Sequence, residues 1–409
     1  MSSSVPVLTA ASGEPWEAAL VARSGEAAPG LEVVARCFDI VDLLATAQVG
    51  AARVAVVAGG LRHLDREAVA RLHALGLAVV VVGGPSRLRE IGIDAEVEAP
   101  ATPGLIGQAV SQALAHGDPA LEPPTGGGRV VAVWGPAGAP GRSTVALGLA
   151  DEAAATGART LLADLDTYGA SIATQLGLLD EAAGIAAAVR AAGTGALTVT
   201  TLESLTRATA PGCAVLTGLP RSDRWSELRE AALAAVLEAT RHLAGFVVAD
   251  VGFSVDAHED LSYDLPAPRR NGATITAVEA ADTVVAVAAG DPLGLQRFVR
   301  TLPDVRALMR PDAELLVVVN KVRASAIGRD VERQVRDALA RHAGVEPTAL
   351  LPHDLATCDA ALVQGRTLRE VAPASALRNG IVGVARRLTG TPIAASRRSR
   401  RRDAHRGGR

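Results

Sequence analysis

Four short segments of this 409-residue chain combine residue types suited to holding a phosphorylated ligand. The first, Val130–Ala150 (VVAVWGPAGAPGRSTVALGLA), passes from an apolar run through a loop of Gly, Ala and Pro into a helical pattern opening with Ser143 and Thr144. Small residues let backbone N–H groups approach a phosphate, and a helix N-terminus adds partial positive charge. Gly138, Ala139, Pro140, Gly141, Arg142, Ser143 and Thr144 are the residues expected to cradle it. The spacing approaches G-x-x-x-x-G-K-S/T, with Pro136 at the first Gly position and Arg142 in place of the lysine. The second segment, Leu161–Gly169 (LLADLDTYG), ends an apolar run in Asp164 and Asp166, and the third, Gly245–Gly252 (GFVVADVG), ends one in Asp250. Carboxylates at such strand ends can hold the Mg2+ of a nucleotide, in part through water. The fourth, Leu315–Val322 (LLVVVNKV), ends a run in Asn320, whose amide can read an adenine edge. Singly, each has an ordinary alternative: a strand–helix turn, a loop-capping aspartate, a turn asparagine. Three acids in order behind a glycine-rich loop favour the nucleotide.

The positioning elements are legible as alternation. After His116–Arg129 (HGDPALEPPTGGGR), a Pro/Gly-rich linker, strand patterns fall at Val130–Trp134, Thr160–Leu165, Ala214–Leu216, Gly245–Asp250, Thr283–Ala289, Leu315–Asn320 and Ala349–Leu351. Helical patterns at Ser143–Thr156, Ser226–Leu243, Arg329–Ala343 and Ser375–Leu388 lie between or after them. This predicts a doubly wound parallel sheet over 130–390, with ligands beyond the carboxyl ends of its strands. Before the linker, runs at Val5–Leu8, Leu31–Val34, Val54–Val57, Ala78–Val82 and around Val97 alternate with helical patterns, predicting a smaller α/β domain over 1–115.

Composition agrees with that class. Hydrophobic residues make up 49% of the chain but aromatics only 2%, so its cores must be Ala, Val and Leu packed between helices and buried strands. The three cysteines are far apart and form neither a disulfide framework nor a zinc pattern. The N-terminus lacks the pattern of a signal peptide, and no apolar run approaches the ~20 residues that span a bilayer. A soluble, cytoplasmic protein is expected, with a peripheral place at the inner face of the membrane as the variant. Positive charge is nearly all arginine. Lys321 is the only lysine, which reads as genome composition rather than function. Arg386–Arg409 holds nine arginines against one aspartate, so a +8 tail follows a body of −11 within a net charge of −3.

The four segments together resemble the ParA/MinD family of partitioning and positioning ATPases, over roughly Val130–Leu388. That family's pattern is KGGxGK-S/T, then a strand ending DxD, a second Asp strand and a late Asn; here the loop reads AGAPGRST, Ala137–Thr144. The resemblance implies a P-loop NTPase domain that takes ATP and Mg2+ and forms a nucleotide-dependent homodimer. It assigns Ser143, Asp164 and Asp250 to the metal, Asp166 to the attacking water, Arg142 to the phosphates, and Asn320 and Pro352 to the base. The family's signature lysine, which reaches the partner's phosphate, falls on Ala137, and the second lysine on Arg142, so hydrolysis is expected to be slow or absent. An α/β unit in front of such an ATPase resembles the CpaE-like branch, linked to pilus assembly and to septum or pole placement. The front unit is similar to a response-regulator receiver, but Leu8–Thr9–Ala10 and Val57–Ala58–Gly59 stand where acids are needed, implying a pseudo-receiver that binds a protein partner.

Rival readings are a pseudo-ATPase scaffold, which the Ala137 and Arg142 exchanges favour, and a ligase of the same fold, which the pseudo-receiver and the lack of a glutaminase-like Cys/His pair oppose. The loop Asp256–Arg270 gathers four acids and His258, a pattern that suits a solvated loop better than a metal site, while Arg269 and Arg270 are placed to reach a phosphate. The stripe Leu377, Ile381, Val384 and Leu388 suits packing on its own domain better than a membrane. The basic tail 391–409 is expected to be disordered, either merely solubilising or meeting anionic membrane or DNA.

Overall fold

Valine-rich runs buried on both faces supply the strands, because a β-branched side chain packs well on a sheet covered by helices on either side. The structure, a computed structural model, describes residues 4–11, 13–23, 30–115, 127–178, 182–257 and 268–390. Most of the expected linker, most of the acidic loop and the whole basic tail lie outside the described residues.

In the front domain, β1 (Val5–Ala10), β2 (Leu31–Cys37), β3 (Val54–Ala58), β4 (Ala78–Val82) and β5 (Ala95–Val97) form a parallel sheet in the order β2-β1-β3-β4-β5. Helices Ile40–Ala47 and Arg66–Ala74 begin at Asp39 and Asp65, whose carboxylates accept first-turn amide hydrogens.

The main domain is an eight-stranded sheet built from β6 (Arg129–Trp134), β7 (Thr160–Leu165), β8 (Arg207–Ala210), β9 (Cys213–Leu216), β10 (Phe246–Val251), β11 (Thr283–Ala289), β12 (Glu314–Val322) and β13 (Ala349–Pro352). Its order is β13-β12-β11-β6-β10-β7-β9-β8, parallel except for β8, which pairs antiparallel with β9 at one edge. This is the doubly wound α/β architecture expected from the alternation. β10 lies between β6 and β7, so the ends of the three strands that carry the loop, the Asp pair and Asp250 are brought together.

Helix Arg142–Ala155 crosses beneath the sheet and is buried along most of its length, two acids included. Arg369 pairs with Asp151 through Nε (3.0 Å) and Nη2 (2.5 Å), and Arg378 pairs with Glu152 through Nε (2.5 Å) and Nη2 (3.0 Å). Both forks come from the C-terminal segment, whose last helix, Ala376–Thr389, buries Leu377, Ile381, Val384 and Leu388 against the domain.

The two domains meet along helix Arg66–Ala74. Its Glu67 Oε2 accepts the Ala231 amide (3.3 Å), in the first turn of main-domain helix Glu230–Leu243, which has no side-chain cap at its own Arg229. Arg229 in turn pairs with Asp65 (2.7 Å), and Arg66 donates to the Ala192 carbonyl (3.3 Å).

Candidate functional site

The loop between β6 and helix Arg142–Ala155 has three residues of positive φ: Gly138 (106°), Ala139 (52°) and Gly141 (96°). Glycine suits the outer two, whose φ values L side chains rarely adopt. A Cβ on Gly138 would lie 2.2 Å from Arg297 Nη1, and one on Gly141 would lie 2.3 Å from Asn320 Nδ2. Ala139 holds the left-handed conformation without that freedom, at a cost on the order of 1 kcal/mol.

Arg142, the first residue of the helix, does not extend into open space. Its Nε donates to the Val251 carbonyl (3.0 Å), Nη1 to the Gly135 carbonyl (3.2 Å) and Nη2 to Asp166 Oδ2 (3.0 Å). Side-chain exposures of 12% and 6% make this Arg142–Asp166 pair a buried one. The other Asp166 oxygen accepts the amides of Tyr168 (2.8 Å) and Gly169 (3.2 Å).

The remaining two acids differ sharply. Asp164 is saturated by backbone, Oδ1 accepting the Asp166 amide (3.3 Å) and Oδ2 those of Ser171 (2.9 Å) and Ile172 (3.0 Å). Burial still lifts its carboxyl to about 6, against those hydrogen bonds. Asp250 is fully buried, and neither oxygen has a well-formed hydrogen bond. Burial first, then the Asp164 charge, push it well above the usual carboxylate range, with the Ser143 hydroxyl and Arg142 opposing. An orphaned carboxylate beside a helix-opening serine fits a divalent cation, which would replace the missing partners. Ser143 and Asp250 would hold the ion, and Asp164 would brace the loop after β7. Among the described residues, no three His, Cys, Asp or Glu side chains converge into a metal cage, so such an ion would take its other ligands from phosphate and water.

A cavity of about 390 Å³ opens above the loop. Ala139, Gly141, Arg142, Ser143, Thr144, Asp166, Asn320 and Pro352 line it, as do Gln175, Lys321, His353 and Cys358, which the motifs did not single out for it. Gly138 and Pro140 instead line a smaller hollow of about 150 Å³ on the other side of the loop, beside Arg297, whose Nη1 lies 3.4 Å from the Ala137 carbonyl. Asn320 Nδ2 is engaged with the Pro140 carbonyl (2.9 Å), so its amide braces the loop as well as facing the cavity. Arg269 and Arg270 are committed elsewhere: Arg269 forks onto Glu230, and Arg270 stacks 4.2 Å from the Tyr168 ring centre.

No protein-family model matches the chain, and no curated protein does. Solved structures match the fold. A ParA-family ATPase from Chlorobium tepidum superimposes with a TM-score of 0.53 at 16% identity, covering 63% of this chain and 98% of its own. MinD in the MinC:MinD cell-division complex of Aquifex aeolicus gives 0.50 at 17% identity, over 66% and 98%. An ATP complex of McdA from Cyanothece gives 0.50 at 13% identity, over 66% and 100%. The main domain has the MinD/ParA fold. In this chain the loop, the two Asp strands and the Asn strand meet at one end of the sheet, where the cavity lies.

Proposed function

We propose that the chain is an ATP-binding molecular switch of the ParA/MinD type, which dimerises with nucleotide and positions a partner complex. The observation that carries the reading is the orphaned Asp250 beside Ser143 under a cavity of nucleotide size, lined by the loop, Asn320 and Pro352. Structures of the same fold include one described as an ATP complex and one as a complex with MinC, in keeping with a nucleotide ligand and a protein partner. Hydrolysis is slow or absent in this reading, because Arg142 is tied to Asp166 and Ala137 offers no second cation.

The front domain is read as a pseudo-receiver that carries the partner, placing the chain with the CpaE-like branch and its cargo of pilus, secretion or septum machinery. Its strand order, 2-1-3-4-5, is that of doubly wound receivers. Beyond β3 a Cβ on Gly59 would lie 1.9 Å from the Gly83 carbonyl oxygen, so no aspartate fits there. The place of action is the cytoplasm or the inner face of the membrane, with the basic tail as the contact to anionic lipid or DNA.

The test is calorimetric titration of the full chain with Mg·ATP, alongside a phosphate-release assay. Binding with little or no turnover is expected, and robust turnover overturns the slow switch. A second reading, a scaffold that binds no nucleotide, is favoured by the three protein bonds that already engage the Arg142 guanidinium, and absence of binding would establish it.

A further inference from the structure

We propose that Lys321, the only lysine of the chain, is the residue that positions a nucleotide on this loop: it holds the crest of the loop and supplies the cavity's available cation. The proposal rests on the nucleotide-binding reading above. Among the described residues, two strongly basic side chains line the cavity, Arg142 and Lys321. Arg142 is spent, with its charge balanced by a carboxylate 3.0 Å away. Among the described residues Lys321 forms no ion pair, and its ammonium donates to a single neutral oxygen, the Ala139 carbonyl, at 2.6 Å.

The backbone explains how it gets there. Side chains of consecutive residues in a regular strand point to opposite faces. Asn320 and Lys321 nevertheless both reach the same loop, at the carbonyls of Pro140 and Ala139. The β12–β13 register breaks between Val319 and Val322, so one extra residue is inserted there, and Lys321 takes φ 60°. Such a bulge re-aims side chains, and it sits at the two residues that grip the loop. Ala139, the residue gripped, is itself left-handed without being glycine. Two strained residues are thus joined by one charged hydrogen bond, the kind of strain that needs its surroundings to maintain it.

The consequence for a ligand follows from loop geometry. A phosphate nest needs its N–H groups turned inward, and therefore carbonyls turned outward. Asn320 holds the Pro140 carbonyl and so orients the Gly141 amide that follows it, whereas Lys321 holds the Ala139 carbonyl, whose peptide ends in the N–H-less Pro140, and so fixes the crest of the loop while its ammonium adds positive potential at the cavity rim. Loss of Lys321 should therefore weaken phosphate binding more than it disturbs the fold.

The test uses the full-length protein. Lys321→Met keeps the stem and drops the charge, and Lys321→Arg keeps the charge; Mg·ATP affinity is measured by calorimetry for each, with thermal unfolding alongside. A loss of about tenfold or more is expected for Met, with most of it restored by Arg, since charge-assisted bonds are worth about twice neutral ones. Because Lys321 carries the chain's one side-chain amine, a water-soluble acylating reagent followed by peptide mass spectrometry reads it directly; saturating Mg·ATP should slow its labelling several-fold. Wild-type affinity in Lys321→Met, or labelling unchanged by Mg·ATP, overturns the proposal while leaving nucleotide binding intact. No Mg·ATP binding by the wild type overturns both.

Discussion

Arg142 Nη2 stands 3.0 Å from Asp166 Oδ2, so the cation of the phosphate loop is neutralised by the carboxylate just past β7. Asp166 is buried and Arg142 largely so, and breaking a fully buried pair by removing one partner costs about 3–5 kcal/mol, an upper bound here, because the other charge is left behind. Asp166→Asn is therefore expected to destabilise the nucleotide-free protein, while freeing Arg142 for a phosphate. Mg·ATP should raise the melting temperature of Asp166→Asn by more than it raises that of the wild type, in thermal unfolding with and without nucleotide. An equal shift in both would show that Asp166 does not restrain the arginine. Arg142→Ala, which has no guanidinium to free, should show none of this extra gain when combined with Asp166→Asn.

The orphaned Asp250 makes stability pH-dependent. Burial and the Asp164 charge raise its folded value, and burial raises Asp164 from 3.8 to about 6. An acid raised on folding contributes stability that is full below its unfolded value and is lost as pH rises through its folded one. The nucleotide-free wild type should thus lose stability relative to Asp250→Asn as pH rises from about 4 through the raised folded value of Asp250. At pH 8 Asp250→Asn should be the more stable by about 1–3 kcal/mol, since the amide carries no buried charge. Denaturant midpoints at pH 5 and pH 8 decide the matter, and parallel curves for the two proteins would refute it. Mg2+-dependent nucleotide binding should strengthen over the same rise, because a metal needs the ionised carboxylate.

Glu67 caps a helix belonging to the other domain, through the Ala231 amide. Glu67→Ala should cost about 1 kcal/mol, as lost helix caps do, whereas Arg229→Ala, which breaks a more exposed pair with Asp65, should cost about 0.5 kcal/mol. Urea unfolding of the two variants separates these, and an Arg229 effect exceeding that of Glu67 would reverse the assignment.

The front domain should accept no phosphoryl group. Incubation of the full chain with acetyl phosphate, then digestion and mass analysis of 1–115, is expected to show no added phosphate. A labile aspartyl phosphate there would contradict the packing of Gly59 against Gly83.

The strands and the loop were legible because Val-rich runs and a Gly/Ala/Pro loop are local signals. β8 was not, since Arg207–Ala210 is a four-residue edge strand with two polar residues and no large apolar one. Helix Pro292–Leu308 was hidden by Pro303 within it, and helix Gly272–Ala280 by burial nearly all round, which erases the amphipathic pattern. At the site, sequence could group Asp164, Asp166 and Asp250 but not tell them apart. Their difference lies in which backbone amides arrive from 168–172, and in Arg142 turning back to Gly135 and Val251. Arg297 reaches the loop from 160 residues away and leaves no local trace. Lys321 was visible as a singular residue, but only the bulge in β12 gives that singularity a place.

The two forks that hold Asp151 and Glu152 tie the phosphate-loop helix to the C-terminal segment. Helix Arg142–Ala155 cannot bury these acids until Arg369 and Arg378 exist to meet them. Domains fold as units while the chain emerges from the ribosome at about 5–20 residues per second. The front domain can close early, whereas the phosphate loop sits on a helix completed only by the final one. A chain that stops short of Arg369 would leave both buried acids of the phosphate-loop helix without their cationic partners.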